Sequence, residues 1–249
     1  MFAIPPRGDQ MMDNATEAGQ LAGMIGGLGP ESTAVYYRGI VSEYRKAKPD
    51  GSYPALFINS LNMRRMLDLI TAADYAGAAN YLVGALEQLA AAGATFGFIT
   101  ANAPHLVFDA VEARSPLPLI SIVRPTSAAA KQAGLKRLGL LGARFTMQAT
   151  FYPKVFAQAG LEIVTPGQDE QDYIHAKYMG ELVNGLVIPE TRQELSKIIE
   201  RMKDRDQIDG MILGGTELSL LFHEDSAGGI PLLDTTKLHI QAVVARMLE

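Results

Sequence analysis

A chain of 249 residues with 48% hydrophobic and 20% charged residues holds enough apolar material for one large or two small globular cores. Its net charge of −5 is spread over interspersed acids and bases, which argues against a nucleic-acid face or a basic membrane-binding tail. With no cysteine there are no disulfides, thiolate metal sites or thiol nucleophiles, and the four scattered histidines lack metal-ligand spacing, so no metal is expected.

Residues 1–21 mix Pro5, Pro6, Arg7, Gly8 and Asp9 with other polar residues and read as a flexible leader without the apolar run of a signal peptide. No stretch reaches the roughly 18 apolar residues of a membrane span, so a cytoplasmic protein without a membrane partner is expected. From there the chain alternates short apolar strands with helical patterns, the rhythm of a parallel sheet with helical crossovers. Strands are expected at Gly23–Gly26, Ala55–Ile58, Phe96–Ile99 and Pro118–Ser121, then again at Leu138–Leu141, Leu161–Val164, Gly210–Leu213 and Ile230–Leu233. The two series match. Tyr36-Tyr37 aligns with Phe151-Tyr152 at 152 − 37 = 115, Ala101 with Gly215 at 215 − 101 = 114, and Pro118 with Pro231 at 231 − 118 = 113.

The pattern predicts an α/β protein of two pseudo-symmetric flavodoxin-like domains, each with a mainly parallel four-stranded sheet. The first spans residues 22–122, the second 123–234, opened by a helix near Pro125-Thr126. A last helix over residues 235–249 returns to the first. Ligands of open parallel sheets bind at the carboxyl strand ends, which the pseudo-symmetry would bring face to face in a cleft.

Four segments border that cleft. Gly26 to Thr33 follows the first strand and opens a helix, but it lacks the later acidic residue of a dinucleotide fingerprint and the Gly-Lys-Ser/Thr of a phosphate loop. A small-carboxylate site or a structural tight turn are the readings left. Asn102, leaving the third strand, and Thr216, leaving its counterpart, would hold a carboxylate or merely cap their helices. His105 would cover the cleft floor or bond within its own domain, and Glu217 would favour a helix dipole or point into the cleft. Lys177, near the face shared by His175, Tyr178 and Leu182, is either solvated or paired with a substrate carboxylate. His223 and His239 read as surface residues.

The Gly26 loop, the Asn102 to His105 segment, Leu141-Gly142-Ala143-Arg144-Phe145-Thr146-Met147 and Gly214-Gly215-Thr216-Glu217 resemble, in order and spacing, the loops of the PLP-independent aspartate/glutamate racemases. The resemblance runs from about Met24 to the C-terminus. It implies a cofactor-independent amino-acid racemase or isomerase, commonly a homodimer, that moves the α-proton of aspartate, glutamate or a related small dicarboxylic acid. In that family two cysteines face opposite sides of the α-carbon, one removing the proton and the other returning it. Their positions here are Ala101 and Gly215, and Ala103 stands where Thr is usual. The resemblance further implies that Asn102 and Thr216 bind the substrate carboxylate, with Gly27, Ser60 and Thr146 lining the site. Glu217 stands where related glutamate racemases have a histidine. A lysine that some aspartate racemases carry near Asp172-Tyr173 is unmatched; Lys177, about one turn later, either replaces it or leaves the position without a counterpart. Glu217 with His105 is therefore the candidate catalytic pair. The alternative is a non-catalytic binder or sensor of a small dicarboxylate built on the racemase fold.

Overall fold

The computed structural model describes residues 20–249, so most of the expected leader lies outside the described residues. The first half runs β1 (Ala22–Gly26), α1 (Pro30–Ala47), β2 (Leu56–Ser60), α2 (Met63–Thr71), α3 (Tyr75–Ala91), β3 (Phe96–Ile99), a 3-10 segment over Ala103–Val107, α4 (Phe108–Glu112) and β4 (Leu119–Ile120). The second runs α5 (Val123–Gln132), β5 (Arg137–Gly142), α6 (Arg144–Met147), α7 (Phe151–Gln158), β6 (Glu162–Val164), α8 (Gln168–Gly180) and a 3-10 segment over Leu182–Asn184. It continues through α9 (Pro189–Asp206), β7 (Gly210–Gly214), a 3-10 segment over Thr216–Leu220, β8 (Ser226–Ala227), β9 (Ile230–Asp234) and α10 (Thr235–Met247).

The first sheet is all parallel in the order β2-β1-β3-β4, and the second runs β6-β5-β7-β9-β8. The expected α/β architecture is present, with one correction: the second sheet has five strands, because β8 adds antiparallel to β9. Gly228 and Gly229, at φ of 57° and 72°, form the two-residue turn between them. Positive φ at both central residues is what a tight hairpin turn requires. The central strands β1, β3 and β7 are buried along their whole length, so they read as continuous apolar runs rather than alternating ones.

The register confirms the internal repeat and refines it. Ile25 pairs with Ile99 and Leu141 with Leu213, giving offsets of 141 − 25 = 116 and 213 − 99 = 114. The matching buried tyrosines are Tyr36 and Tyr152, at 152 − 36 = 116, whereas Tyr37 is exposed on the outer face of α1. Ala101 and Gly215 follow the paired residues Ile99 and Leu213 by two positions each, at the carboxyl ends of β3 and β7.

Local chemistry sets the helix starts. Asn62 accepts from the Arg64 N–H at 2.9 Å to open α2, Asp74 accepts from the Gly77 N–H at 2.8 Å to open α3, and Asp234 accepts from the Thr236 N–H at 2.9 Å to open α10. On α10, Ile240, Val243, Val244 and Met247 pack with Ala22, Met24, Tyr36, Ile40 and Phe98. At about 1.5–3 kcal/mol per large buried side chain, this contact alone ties the last helix to the first strand and helix. At the start of the described chain, the Gln20 N–H donates to the Met247 carbonyl at 3.2 Å and the Leu21 N–H to Thr95 Oγ1 at 2.9 Å.

His239, read from the sequence as a surface residue, is fully buried in this contact. Its Nε2 lies 3.1 Å from the Ile120 carbonyl and its Nδ1 2.8 Å from the Tyr36 hydroxyl. A carbonyl only accepts, so Nε2 carries the proton and Nδ1 accepts from tyrosine, which fixes the neutral tautomer. Burial pushes its pKa down to about 3. His223 is exposed as expected. Among the described residues, no helix is long and apolar enough to cross a membrane.

Candidate active site

The loops at the carboxyl ends of β1, β3, β5 and β7 converge on a cavity of about 60 Å³ lined from both halves of the chain. Its polar wall carries Ser32, Asn102, Thr146, Tyr178, Thr216 and Glu217. Glu217, only 6% exposed, is held by hydroxyls. Ser32 Oγ donates to its Oε1 at 3.1 Å, Thr216 Oγ1 donates to its Oε2 at 2.9 Å, and the Tyr178 hydroxyl donates to Oε2 as well. The Ser32 and Thr216 hydroxyls also touch each other. This cluster joins the first turn of α1, the end of α8 and the segment after β7. Burial, reinforced by the neighbouring Glu217 carboxylate, holds the Tyr178 phenol well above its ordinary pKa, so it stays a proton donor.

The two positions of the family thiols differ in their surroundings. The Ala101 methyl lines the cavity. Gly215 is capped by Tyr178: a Cβ added there would lie 2.5 Å from the tyrosine hydroxyl, 2.6 Å from Cε2 and 2.9 Å from Cζ. The Gly215 backbone is extended, with φ −170°, so the bar to a side chain is steric rather than conformational, and the phenol ring supplies its nearest atoms. The phenol of Tyr178 thus fills the space at the second thiol position, and its partner is Glu217.

Of the residues singled out from the sequence, Asn102, Thr146, Thr216, Glu217 and Ala101 meet at this cavity. Asn102 does not cap the helical turn that follows. Its Oδ1 accepts from the Tyr152 hydroxyl at 2.7 Å and its Nδ2 donates to Thr235 Oγ1 at 3.4 Å, so the side chain bridges to α7 and α10. Gly27 and Ser60 are not among the residues that line the cavity. Gly27 has φ 77° and closes against the Leu61 carbonyl, 2.2 Å from where a Cβ would sit, which makes it a structural turn residue. Lys177 turns to the outside of α8, where it pairs with Glu181 at 2.5 Å.

His105 is a correction. It does not line the cavity; its Nδ1 donates to the Ala101 carbonyl at 3.0 Å, its Nε2 accepts the Ile122 N–H at 3.1 Å, and its ring stacks on Phe108. Both nitrogens are occupied by backbone, so the ring braces the Ala101 loop and has no lone pair for a substrate. Burial lowers its pKa to about 4. His105 and His239 are both neutral when folded, against an unfolded value near 6.5. Their contribution to stability is therefore complete above pH about 6.5 and is lost as pH falls toward 4 and then 3. Urea midpoints are expected to drop across that window, and His239→Gln is expected to flatten the drop. A midpoint constant from pH 7 to 4 would contradict this assignment.

Three features escaped the sequence reading. Ser32 sits within the quoted glycine-rich loop, and Tyr178 lies on the noted α8 face, yet neither signals its contact with Glu217. The third is a stripe on α2, Met63, Met66, Leu67 and Ile70, which faces the cavity at the i, i+3, i+4, i+7 spacing of one helix face.

A family model described as Asp/Glu/Hydantoin racemase matches residues 25–243. A Yersinia pestis protein carrying a provisional Asp/Glu racemase description is 30% identical, with TM-score 0.85, over 92% of this chain and 100% of that one. An aspartate racemase homologue from Pyrococcus horikoshii is also 30% identical, with TM-score 0.79, over 91% of this chain and 98% of that one. The aspartate racemase of Picrophilus torridus, 20% identical with TM-score 0.69 over 93% and 96% of the two chains, shares the fold.

Proposed function

Because the chain belongs to the Asp/Glu/hydantoin racemase family, we propose that its cleft binds one small amino acid or related carbon acid and moves a proton at a single face of the α-carbon. The observation that carries this reading is the Tyr178–Glu217 pair covering Gly215, in a cavity also lined by Ala101, which offers only a methyl group. Glu217 takes the α-proton: the C–H bond breaks, an O–H bond forms on the carboxylate, and the electron pair is delocalised into the substrate carboxyl as an enolate. Asn102, Thr146 and the hydroxyls around Glu217 hold the substrate and the base in place. The same carboxyl then returns a proton to the same face, so configuration is retained. No metal or organic cofactor is invoked in this step. Aspartate and glutamate, the acids that the family name supplies, are the first substrates to try. Assembly as a homodimer and cytoplasmic residence belong to the same family-based reading.

The test is solvent deuterium exchange, with each enantiomer incubated in heavy water and the α-proton followed by NMR. Exchange with retention supports one-sided transfer, whereas exchange with inversion requires a second base and overturns it. Saturable binding without exchange would favour the second reading, a binder or sensor of the same class of ligand. That reading draws on the full hydrogen bonding of Glu217 to its own neighbours, which suits a structural carboxylate as well as a reactive one.

A further inference from the structure

Apart from the hydroxyl cluster, Asn102 and Thr146, the cavity lining is apolar and is built for something other than a second carboxylate. The α2 stripe of Met63, Met66, Leu67 and Ile70 lines the cavity together with Met179 and Val183. Among the described residues no lysine, arginine or histidine lines it. The cations nearest in the chain are committed elsewhere: Arg64 pairs with Asp68 at 2.7 Å, Arg65 lies over the Tyr81 ring at 4.4 Å, Arg144 pairs with Asp172 at 2.7 Å, and Lys177 pairs with Glu181 at 2.5 Å. A side-chain carboxylate entering this wall would be stripped of water and meet only thioethers and methyl groups, an arrangement proteins avoid. A linear apolar side chain would instead exchange water for contacts with adaptable methionines, which can repack around it to enlarge a cavity of about 60 Å³.

From this we infer that the cleft selects an α-amino acid with an unbranched apolar side chain, of the norleucine or methionine type, over aspartate and glutamate. The inference rests on this cavity being the ligand site, as proposed above, but not on its chemistry. The polar wall of Ser32, Asn102, Thr146 and Thr216 takes the α-amino and α-carboxyl head, and the α2 stripe takes the tail.

Calorimetric titration of the full chain with L- and D-norleucine, L- and D-methionine, aspartate and glutamate tests it. An apolar member is expected to bind at least about tenfold more tightly than either acid, the discrimination that a matched apolar pocket supplies. Equal or tighter binding of aspartate or glutamate, or binding of none of the set, overturns the inference. Leu67 is only half-buried. Leu67→Lys, with folding checked by circular dichroism, is expected to weaken norleucine and strengthen glutamate by about tenfold each. An unchanged preference in a folded Leu67→Lys protein also counts against the proposal, and should that variant fail to fold, the wild-type panel still decides. The two readings fail separately. Norleucine bound without α-exchange removes the proton-transfer step and keeps the ligand class, while exchange confined to aspartate or glutamate does the reverse.

Discussion

Placing cysteine at both family thiol positions, Ala101→Cys with Gly215→Cys, is expected to yield no measurable racemisation and a less stable protein. At position 101 the change is mild, because a Cβ already faces the cavity and the added sulfur points into open space. Position 215 is different. Its Cβ would fall 2.5 Å from the Tyr178 hydroxyl and 2.6 Å from Cε2, inside the contact distance that atoms tolerate. The ring cannot swing aside cheaply, being buried and bonded to Glu217. Overpacking of this kind costs about 1–3 kcal/mol. In a protein of this size that is roughly 2–12 °C of melting temperature. Since Gly215 has extended backbone, the penalty is steric rather than backbone strain, and Tyr178 supplies the three nearest atoms. Thermal melts and chiral chromatography of aspartate, glutamate and norleucine check both halves. A double variant that melts like the parent, or that racemises any of them readily, would refute the claim that Tyr178 fills the second thiol position.

The second large effect is expected at Glu217. Glu217→Gln preserves shape and an acceptor oxygen but removes the base, so α-deuterium exchange should fall by at least about a hundredfold, the low end of what a general base contributes. Stability should change little. Glu217→Ala, by contrast, strands the hydroxyls of Ser32, Thr216 and Tyr178 in a buried place, at roughly 1–3 kcal/mol for each left unsatisfied. Comparing the two separates chemistry from packing. Should Glu217→Gln exchange at the parent rate, Glu217 is structural; Tyr178→Phe, which keeps the ring and deletes the proton, would then show whether the phenol is the active group.

Much of the fold is legible in the sequence because burial on both faces makes parallel strands continuous apolar runs. Phe96–Ile99 falls where the run places it, and β1, β5 and β7 differ from expectation only at their ends. The strand expected over Pro118–Ser121 shrinks to Leu119–Ile120, since only two of its residues find partners on β3. β8 was missed because two residues carry no periodicity, although Gly228-Gly229 marked the turn. His239 was misread for a different reason. Its two partners, Tyr36 and the Ile120 carbonyl, come from parts of the chain 203 and 119 residues away, and no local pattern announces such a contact.

The site divides along the same line. Asn102, Thr146, Thr216 and Glu217 sit on strand-end loops, whose place in a pseudo-symmetric fold follows from topology. Tyr178 acts by leaning from α8 over a glycine on a different element, and the α2 stripe by facing a neighbour that the sequence does not reveal. Lys177 and His105 had the right chemistry but the wrong direction: one faces outward to Glu181, the other inward to backbone.

The bridge from Asn102 to Tyr152 and Thr235 ties segments distant in the chain beside the candidate cavity. On that side, parting the halves would break buried directional bonds, including the 2.7 Å contact from the Tyr152 hydroxyl. Beside α2 the cavity lining is apolar, with Met63, Met66, Leu67 and Ile70, whose non-directional contacts can re-form in many arrangements. Any parting of the halves is therefore expected to cost more at Asn102 than beside α2.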